Sequence, residues 1–104
     1  MKNGEYIKAE VKKRILEIYP AARIIFYGSR ARGDARDDSD WDFLVIVNEN
    51  DYSSGLSDRI RDSIFEYSTE INEDLMVFVN TKEHVWKFQL APFYQNIKQE
   101  GIEL

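Results

Sequence analysis

Two short apolar runs constrain the fold more than any other feature of this sequence. Phe43–Val47 and Leu75–Val79 are uninterrupted apolar stretches, which are typical of buried strands. Between them, apolar residues recur with the spacing of an amphipathic helix of about a dozen residues, namely Leu56, Ile60, Ile64 and Tyr67. A helical crossover joins parallel neighbours, so we predict two buried parallel strands that start at the same edge of a sheet.

The residues before the first run predict one more helix and one more strand. Apolar residues from Glu5 to Tyr19 fall on one helical face, and Pro20 ends that helix. Arg23–Tyr27 is predicted to be a short strand that ends at Gly28. Because no long helix links it to the Phe43 strand, we expect an antiparallel arrangement and therefore a mixed sheet.

The residues after the second run predict two short helices and an edge strand. Thr81 is suited to cap a helix that continues through Phe88. Pro92 suits the first turn of a last helix with Gly101 as its C-cap, and Ile102–Leu104 can add an edge strand. We therefore predict an α/β (α+β) fold in which a mixed sheet packs against helices as a single domain over residues 1–104.

Length, charge and cysteine content exclude several classes of function. A chain of 104 residues has material for one core. Its net charge of −5 opposes general binding to nucleic-acid polymers or anionic membranes. The sequence contains no cysteine, which excludes disulfides, Cys-ligated metals and thiol nucleophiles. The N-terminal segment from Met1 to Lys8 has no apolar signal region, so we expect a cytoplasmic protein.

The acidic pair Asp40 and Asp42 stands where the first buried strand begins. Residues two apart in a strand point to the same face, about 6.5 to 7 Å apart, so both carboxylates can hold a pair of divalent cations. Oxygen ligands without nearby His or Cys favour Mg²⁺ or Mn²⁺, and Mg²⁺ commonly shares its coordination shell with substrate phosphates. This pattern therefore predicts a two-metal site that acts on a nucleotide.

The predicted topology brings two further features to the same edge. Gly28 and Ser29 follow the first strand, and Asp74 precedes the last buried one. A glycine allows close backbone approach to a phosphate, and a serine offers a hydroxyl and an N–H. Positive charge stands beside this pair, at Arg30, Arg32 and Arg36.

These residues resemble the minimal nucleotidyltransferases, small members of the DNA polymerase β-like superfamily. Gly28-Ser29 is followed after ten residues by Asp40-Trp41-Asp42, the spacing of that family's signature. The resemblance extends over Gly28–Gly33 and Ser39–Val45, over the strand that follows Asp74, and over Ile97–Ile102. It thus covers essentially the whole chain.

The resemblance implies a role for each matching residue. Asp40 and Asp42 would hold two Mg²⁺ ions, and Asp74 would bind one of them and help take a proton from the attacking hydroxyl. Ser29 and the backbone around Gly28 would hold the outer phosphates of ATP, with phosphate clamps at Arg30 and Arg32. The reaction implied is transfer of AMP from ATP to a hydroxyl group with release of pyrophosphate.

The resemblance also implies a partner. Short stand-alone members of this family commonly pair with an α-helical HEPN protein, in toxin–antitoxin modules where the nucleotidyltransferase is the antitoxin and can adenylylate the toxin. A tyrosine or other hydroxyl of such a protein is then the expected acceptor. A homo-oligomer is also compatible with the sequence.

Three alternatives stay open at this point. The third carboxylate can be Glu73 instead of Asp74, since strand parity places the two on opposite faces. The protein can be a binding module that neutralises a helical partner by contact, with weak or absent catalysis. Transfer to a small molecule is disfavoured, because a chain of this length leaves no room for a separate acceptor domain.

Overall fold

Helices are interspersed with strands in the computed structural model, which describes residues 3–104. Among the described residues, a 3₁₀ turn lies at Glu49–Asp51. The nine helices and strands of the same residues are α1 (Asn3–Ile18), β1 (Arg23–Tyr27), α2 (Ser29–Arg32), β2 (Trp41–Val47), α3 (Ser54–Ile71), β3 (Leu75–Thr81), α4 (Lys82–Lys87), α5 (Pro92–Glu100) and β4 (Ile102–Glu103).

The strands form one mixed sheet in the order β3-β2-β1-β4. β2 and β3 are parallel, whereas β1 is antiparallel to both β2 and β4. The predicted mixed sheet, the parallel pair and the C-terminal edge strand are therefore confirmed. As a consequence, the end of β1 and the starts of β2 and β3 lie at one edge of the sheet.

Helices α1 and α3 cover one face of the sheet. Val11 and Ile15 of α1 and Ile60 and Ile64 of α3 are fully buried against the strands. The strands supply the alternate residues that point to this side, which are Ile24, Phe26, Trp41, Phe43, Val45, Val47 and Val79. This cluster is the main hydrophobic core.

A smaller core lies on the opposite face, under α5. Tyr94 and Ile97 of α5 pack there against Tyr27, Leu44 and Ile46. Because side chains alternate along a strand, Asp42 belongs to this face, while its neighbours Trp41 and Phe43 belong to the main core. Asp42 is only partly buried.

The structure corrects the expectation that β3 is a buried strand. Met76 and Phe78 are 44% and 46% exposed, because β3 is an edge strand and α3 covers only its other face. Three elements extend beyond their predicted bounds: β2 begins at Trp41, α3 extends from Ser54 to Ile71, and β3 continues to Thr81. The predicted caps of α4 and α5 are confirmed, with Thr81 accepting from the backbone N–H of His84.

Met1 and Lys2, the first residues of the N-terminal segment and of the predicted domain, lie outside the described residues. Within residues 3–104, none of the helices has the length and apolar character needed to cross a membrane.

Candidate functional site

The sheet edge where β1 ends and where β2 and β3 begin gathers the predicted site residues. Gly28 follows β1 directly, and Asp42 is the second residue of β2. Asp42 lies opposite Tyr27 on one side and Met76 on the other. The backbone N–H of Trp41 donates to the carbonyl of Asp74 at 2.8 Å, which joins the segments that carry Asp40 and Asp74.

Gly28 and Asp42 are packed so closely that only glycine fits at position 28. The Gly28 backbone has φ +85° and ψ −166°, a conformation found almost only for glycine. A Cβ at this position would overlap Oδ2 of Asp42 and stand 3.2 Å from its Cγ. The structure therefore holds a carboxylate directly against the backbone of the turn after β1.

Negative charge is concentrated around Asp42. Burial raises the pKa of the Asp42 carboxyl, and the charges of Asp40 and Glu100 raise that pKa further, while Arg32 opposes them. Tyr27 is buried beside Asp42, and burial, followed by the Asp42 charge, raises the pKa of its phenol as well. A cation bound between these carboxylates would relieve their repulsion.

The geometry separates the two alternatives for the third carboxylate. Oε2 of Glu73 accepts from Trp41 Nε1 at 3.3 Å, and Trp41 belongs to the main core under α1 and α3. Asp74 is exposed and, by strand parity, lies on the opposite face, which is the face of Asp42. The structure thus places Asp74, not Glu73, on the face of the aspartate pair.

Arg30 belongs to α2, and its side chain is held against the loop between α2 and β2. Its guanidinium stacks 4.6 Å from the ring centroid of Trp41. It also donates to the carbonyl of Asp37 at 3.0 Å and to that of Ser39 at 3.1 Å. These contacts stabilise the loop that leads into Asp40, but they place the Arg30 guanidinium beside Trp41 and not beside the carboxylates. Its expected role as a phosphate clamp stays a prediction.

Arg32 lies nearer to the carboxylates, and it contacts a residue that the sequence interpretation did not include in the site. Arg32 Nη1 donates to Glu100 Oε2 at 2.7 Å, and Arg32 Nε donates to Asp34 at 3.2 Å. The same Oε2 atom of Glu100 accepts from the backbone N–H of Gly28 at 2.9 Å. Glu100 lies within Ile97–Ile102, the C-terminal segment that resembles the minimal nucleotidyltransferases. That resemblance did not indicate a contact with Gly28, which only the fold shows.

The site supplies the type of ligand that a hard divalent cation prefers. Asp40 and Asp42 provide carboxylate oxygens, and a positive neighbour would favour the charged form of the half-buried Asp42. Among residues 3–104, no three acidic or histidine side chains already lie close enough together to bind a metal. The donor set therefore fits Mg²⁺ or Mn²⁺ in chemistry, and completing the coordination shell requires movement of Asp74 or oxygen atoms from a substrate.

Comparison with known protein families gives a match to this chain. A family model described as "Nucleotidyltransferase domain" matches residues 8–103, which is nearly the whole chain and includes every residue of the site. No curated protein matches the chain.

Proposed function

Because the chain belongs to the nucleotidyltransferase domain family, we propose that it is a Mg²⁺-dependent enzyme that transfers AMP from ATP to a hydroxyl group. We propose further that the hydroxyl, on a tyrosine or another residue, belongs to a helical partner protein of the HEPN type. The chain would then act as the antitoxin of a two-protein module.

The observation that carries this proposal is the contact between Gly28 and Asp42. A half-buried carboxylate next to Asp40 is pressed against a glycine whose backbone conformation excludes a side chain. This arrangement brings the turn that carries Ser29 directly beside the Asp42 carboxylate. A surface turn with acidic residues has no need for such close packing.

The proposed reaction assigns a task to each residue. The acceptor oxygen attacks the α-phosphorus of ATP, a new O–P bond forms, and the bond to the bridging oxygen of the leaving pyrophosphate breaks. Asp74 accepts the proton of the attacking hydroxyl, while Ser29 and Arg32 hold the outer phosphates. Asp40 and Asp42 would hold two Mg²⁺ ions, one of them shared with Asp74, and the ions would supply charge neutralisation and alignment of the attacking and leaving oxygens.

Exposed apolar side chains support the proposal of a partner protein. Trp86 and Leu90 are 71% and 83% exposed, and the nearby Phe88 and Phe93 are also exposed. These four residues, here called the α4–α5 apolar surface, lie within one short stretch that follows β3. Single exposed apolar residues are common on protein surfaces, but four of them within one short segment favour a role in protein binding.

Label transfer in lysate of the source cell tests the proposed activity. The purified chain is incubated with that lysate, Mg²⁺ and ATP labelled at either the α- or the γ-phosphate. We expect a labelled protein band with α-labelled ATP only, since AMP carries the α-phosphate to the acceptor. Asp42→Asn should abolish the band because it removes charge from the metal site.

Asp62→Asn is the matched control, because Asp62 is an exposed aspartate on α3. This variant should label the acceptor as well as the original chain does. Equal labelling from γ-labelled ATP would indicate phosphorylation instead of AMP transfer. Unchanged labelling by Asp42→Asn would contradict the proposed site.

The α4–α5 apolar surface also favours a second candidate function, which is neutralisation of the partner by contact alone. This candidate predicts that Asp42→Asn still neutralises the partner, whereas Trp86→Ala abolishes binding. The enzymatic proposal predicts that Asp42→Asn binds the partner but no longer neutralises it. Co-purification and partner activity, measured for both variants, distinguish the two functions.

A further inference from the structure

Glu100 links the C-terminus of α5 to both ends of the segment that follows β1. One oxygen, Oε2, accepts from the Gly28 N–H at 2.9 Å and from Arg32 Nη1 at 2.7 Å. Gly28 stands directly before α2, and Arg32 is its last residue. A single carboxylate therefore fixes the start and the end of the turn that carries Ser29.

The fold explains why a side chain makes this contact. β1 and β4 are paired at Ile25–Glu103 and Phe26–Ile102, so the same antiparallel register, continued, brings Gly28 opposite Glu100. Glu100 is the last residue of α5 and is not part of β4. At this position the Gly28 N–H therefore donates to the Glu100 side chain instead of to a backbone carbonyl. Gly101 permits this sharp junction, because a Cβ there would stand 2.7 Å from Cγ2 of Ile25.

Glu100 is the less exposed of the two carboxylates that contact Arg32. The Glu100 side chain is 15% exposed, whereas Asp34 is 63% exposed and its contact with Arg32 is longer. Hydrogen bonds between charged groups are strong and directional, and solvent weakens them less when they are partly buried. Glu100 therefore supplies the shorter and less exposed of the two contacts that orient the Arg32 guanidinium.

We propose that Glu100 is a positioning residue of the nucleotide site, which keeps Gly28 against Asp42 and directs Arg32 towards the phosphates of the bound nucleotide. This inference rests on the proposed nucleotidyl transfer. Glu100 itself touches neither the substrate nor the reacting atoms. Its loss should weaken nucleotide binding, because the turn and Arg32 are no longer held in the geometry that binds the phosphates.

The test compares Glu100→Ala and Glu100→Gln with a matched control, Glu103→Ala. Glu103 is also a C-terminal glutamate that pairs with an arginine at 2.7 Å, but its partner is Arg23, at the opposite end of β1 from Gly28. For each protein, calorimetry with Mg²⁺ and the non-cleavable analogue α,β-methylene-ATP gives the dissociation constant. Steady-state rates then separate KM from kcat, and thermal unfolding monitors stability.

We expect Glu100→Ala to raise the dissociation constant and the KM for ATP about tenfold, an effect typical of residues that orient a ligand-binding group. The value of kcat should change much less. Glu100→Gln retains an oxygen that can accept from Gly28, so it should recover part of the affinity. Glu103→Ala should bind the analogue as the original chain does.

Two results would overturn the inference without affecting the proposed function. The first is equal affinity of Glu100→Ala and the original chain. The second is tighter binding by Glu100→Ala, which would mean that the carboxylate competes with the phosphates instead of positioning their ligands. If the original chain itself does not bind the analogue in the presence of Mg²⁺, the proposed function fails first.

Discussion

At the scale of single residues, two glycines with positive φ have different tasks. Gly28 has φ +85° and its missing Cβ makes room for Asp42, whereas Gly33 has φ +88° at the C-cap of α2. A Cβ at Gly33 would meet no atom within 4 Å. Gly33 is therefore required only for its backbone conformation, while Gly28 is required for conformation and for space.

This difference predicts the effects of alanine at each position. Gly33→Ala should cost about 1 to 2 kcal/mol of stability, the usual cost of a left-handed conformation in a residue with a Cβ, and leave nucleotidyl transfer nearly unchanged. Gly28→Ala should lower the rate about 100-fold or more, since it displaces Asp42 from the site. Urea unfolding and initial rates of both variants check this prediction. Equal loss of activity in the two variants would contradict it.

The ion pair between Arg23 and Glu103 predicts a pH-dependent contribution to stability. Two hydrogen bonds join these half-exposed side chains, and the bond from Arg23 lowers the pKa of Glu103 in the folded protein. A lowered folded pKa contributes stability above the unfolded pKa of about 4.3, and that stability is lost as the pH falls through the folded value.

Glu103→Gln should therefore reduce the free energy of unfolding by about 0.5 kcal/mol at pH 7, a small value because solvent screens the pair. The difference from the original chain should disappear at a pH well below the folded pKa, where Glu103 is protonated in both states. Urea unfolding at both pH values measures it, with the exposed Glu17→Gln on α1 as control. A difference that persists in acid would exclude this electrostatic origin.

At the scale of elements, strand parity decides which carboxylate can serve the site. Trp41 and Asp42 point to opposite faces of β2, and Glu73 and Asp74 do the same just before β3. The bond from Trp41 Nε1 attaches Glu73 to the face of the main core. Asp74 is left on the face of Asp42, where the proposed acceptor hydroxyl would bind.

Exchange of each carboxylate for an amide tests this assignment. Asp74→Asn should reduce kcat about 100-fold or more, because the base that accepts the proton is lost. Glu73→Gln should retain nearly full activity and stability, since its amide oxygen can still accept from Trp41. Initial rates and thermal unfolding of the two variants provide the measurement. Inactivity of Glu73→Gln together with an active Asp74→Asn would reverse the assignment.

Much of this element-scale organisation follows from the sequence, because it depends on local patterns. β1 has its predicted bounds, and the crossover rule gave the parallel pair and hence the shared sheet edge. The exposure of Met76 and Phe78 was missed because an apolar run gives no information on whether a strand lies at the centre or at the edge of its sheet. That property depends on the number and order of the other strands.

The contacts of the arginines and of Glu100 were beyond the reach of sequence patterns for a related reason. An arginine next to Gly28-Ser29 can bind phosphate or stack on an aromatic ring, and only the fold places Arg30 on Trp41. Glu100 is 72 residues from Gly28 in the chain. No periodicity connects two residues at that separation, so their contact arises from tertiary structure alone.

At the scale of the whole molecule, stability is unevenly distributed around β2. This strand is hydrogen-bonded on both sides, and all residues from Phe43 to Val47 are buried. In contrast, α4 contains no buried residue. We expect the β2 amides to exchange with solvent only when the whole chain unfolds, and the α4 amides to exchange through local opening.

Native-state hydrogen exchange with an Ile64→Val substitution tests this distribution. Ile64 is buried where α3 packs on the sheet, and removing one methyl group should lower global stability by about 1 kcal/mol. The free energy of opening for the β2 amides should fall by the same amount as the free energy of urea unfolding. The α4 amides should keep their original exchange rates, because local opening leaves the contacts of Ile64 intact.

A different result would contradict this distribution. If the α4 amides open with the same free energy as the β2 amides, or if the substitution lowers both free energies equally, α4 unfolds only with the core. The α4–α5 apolar surface would then be a rigid extension of the sheet, and a partner that binds it would stabilise the entire fold instead of one segment.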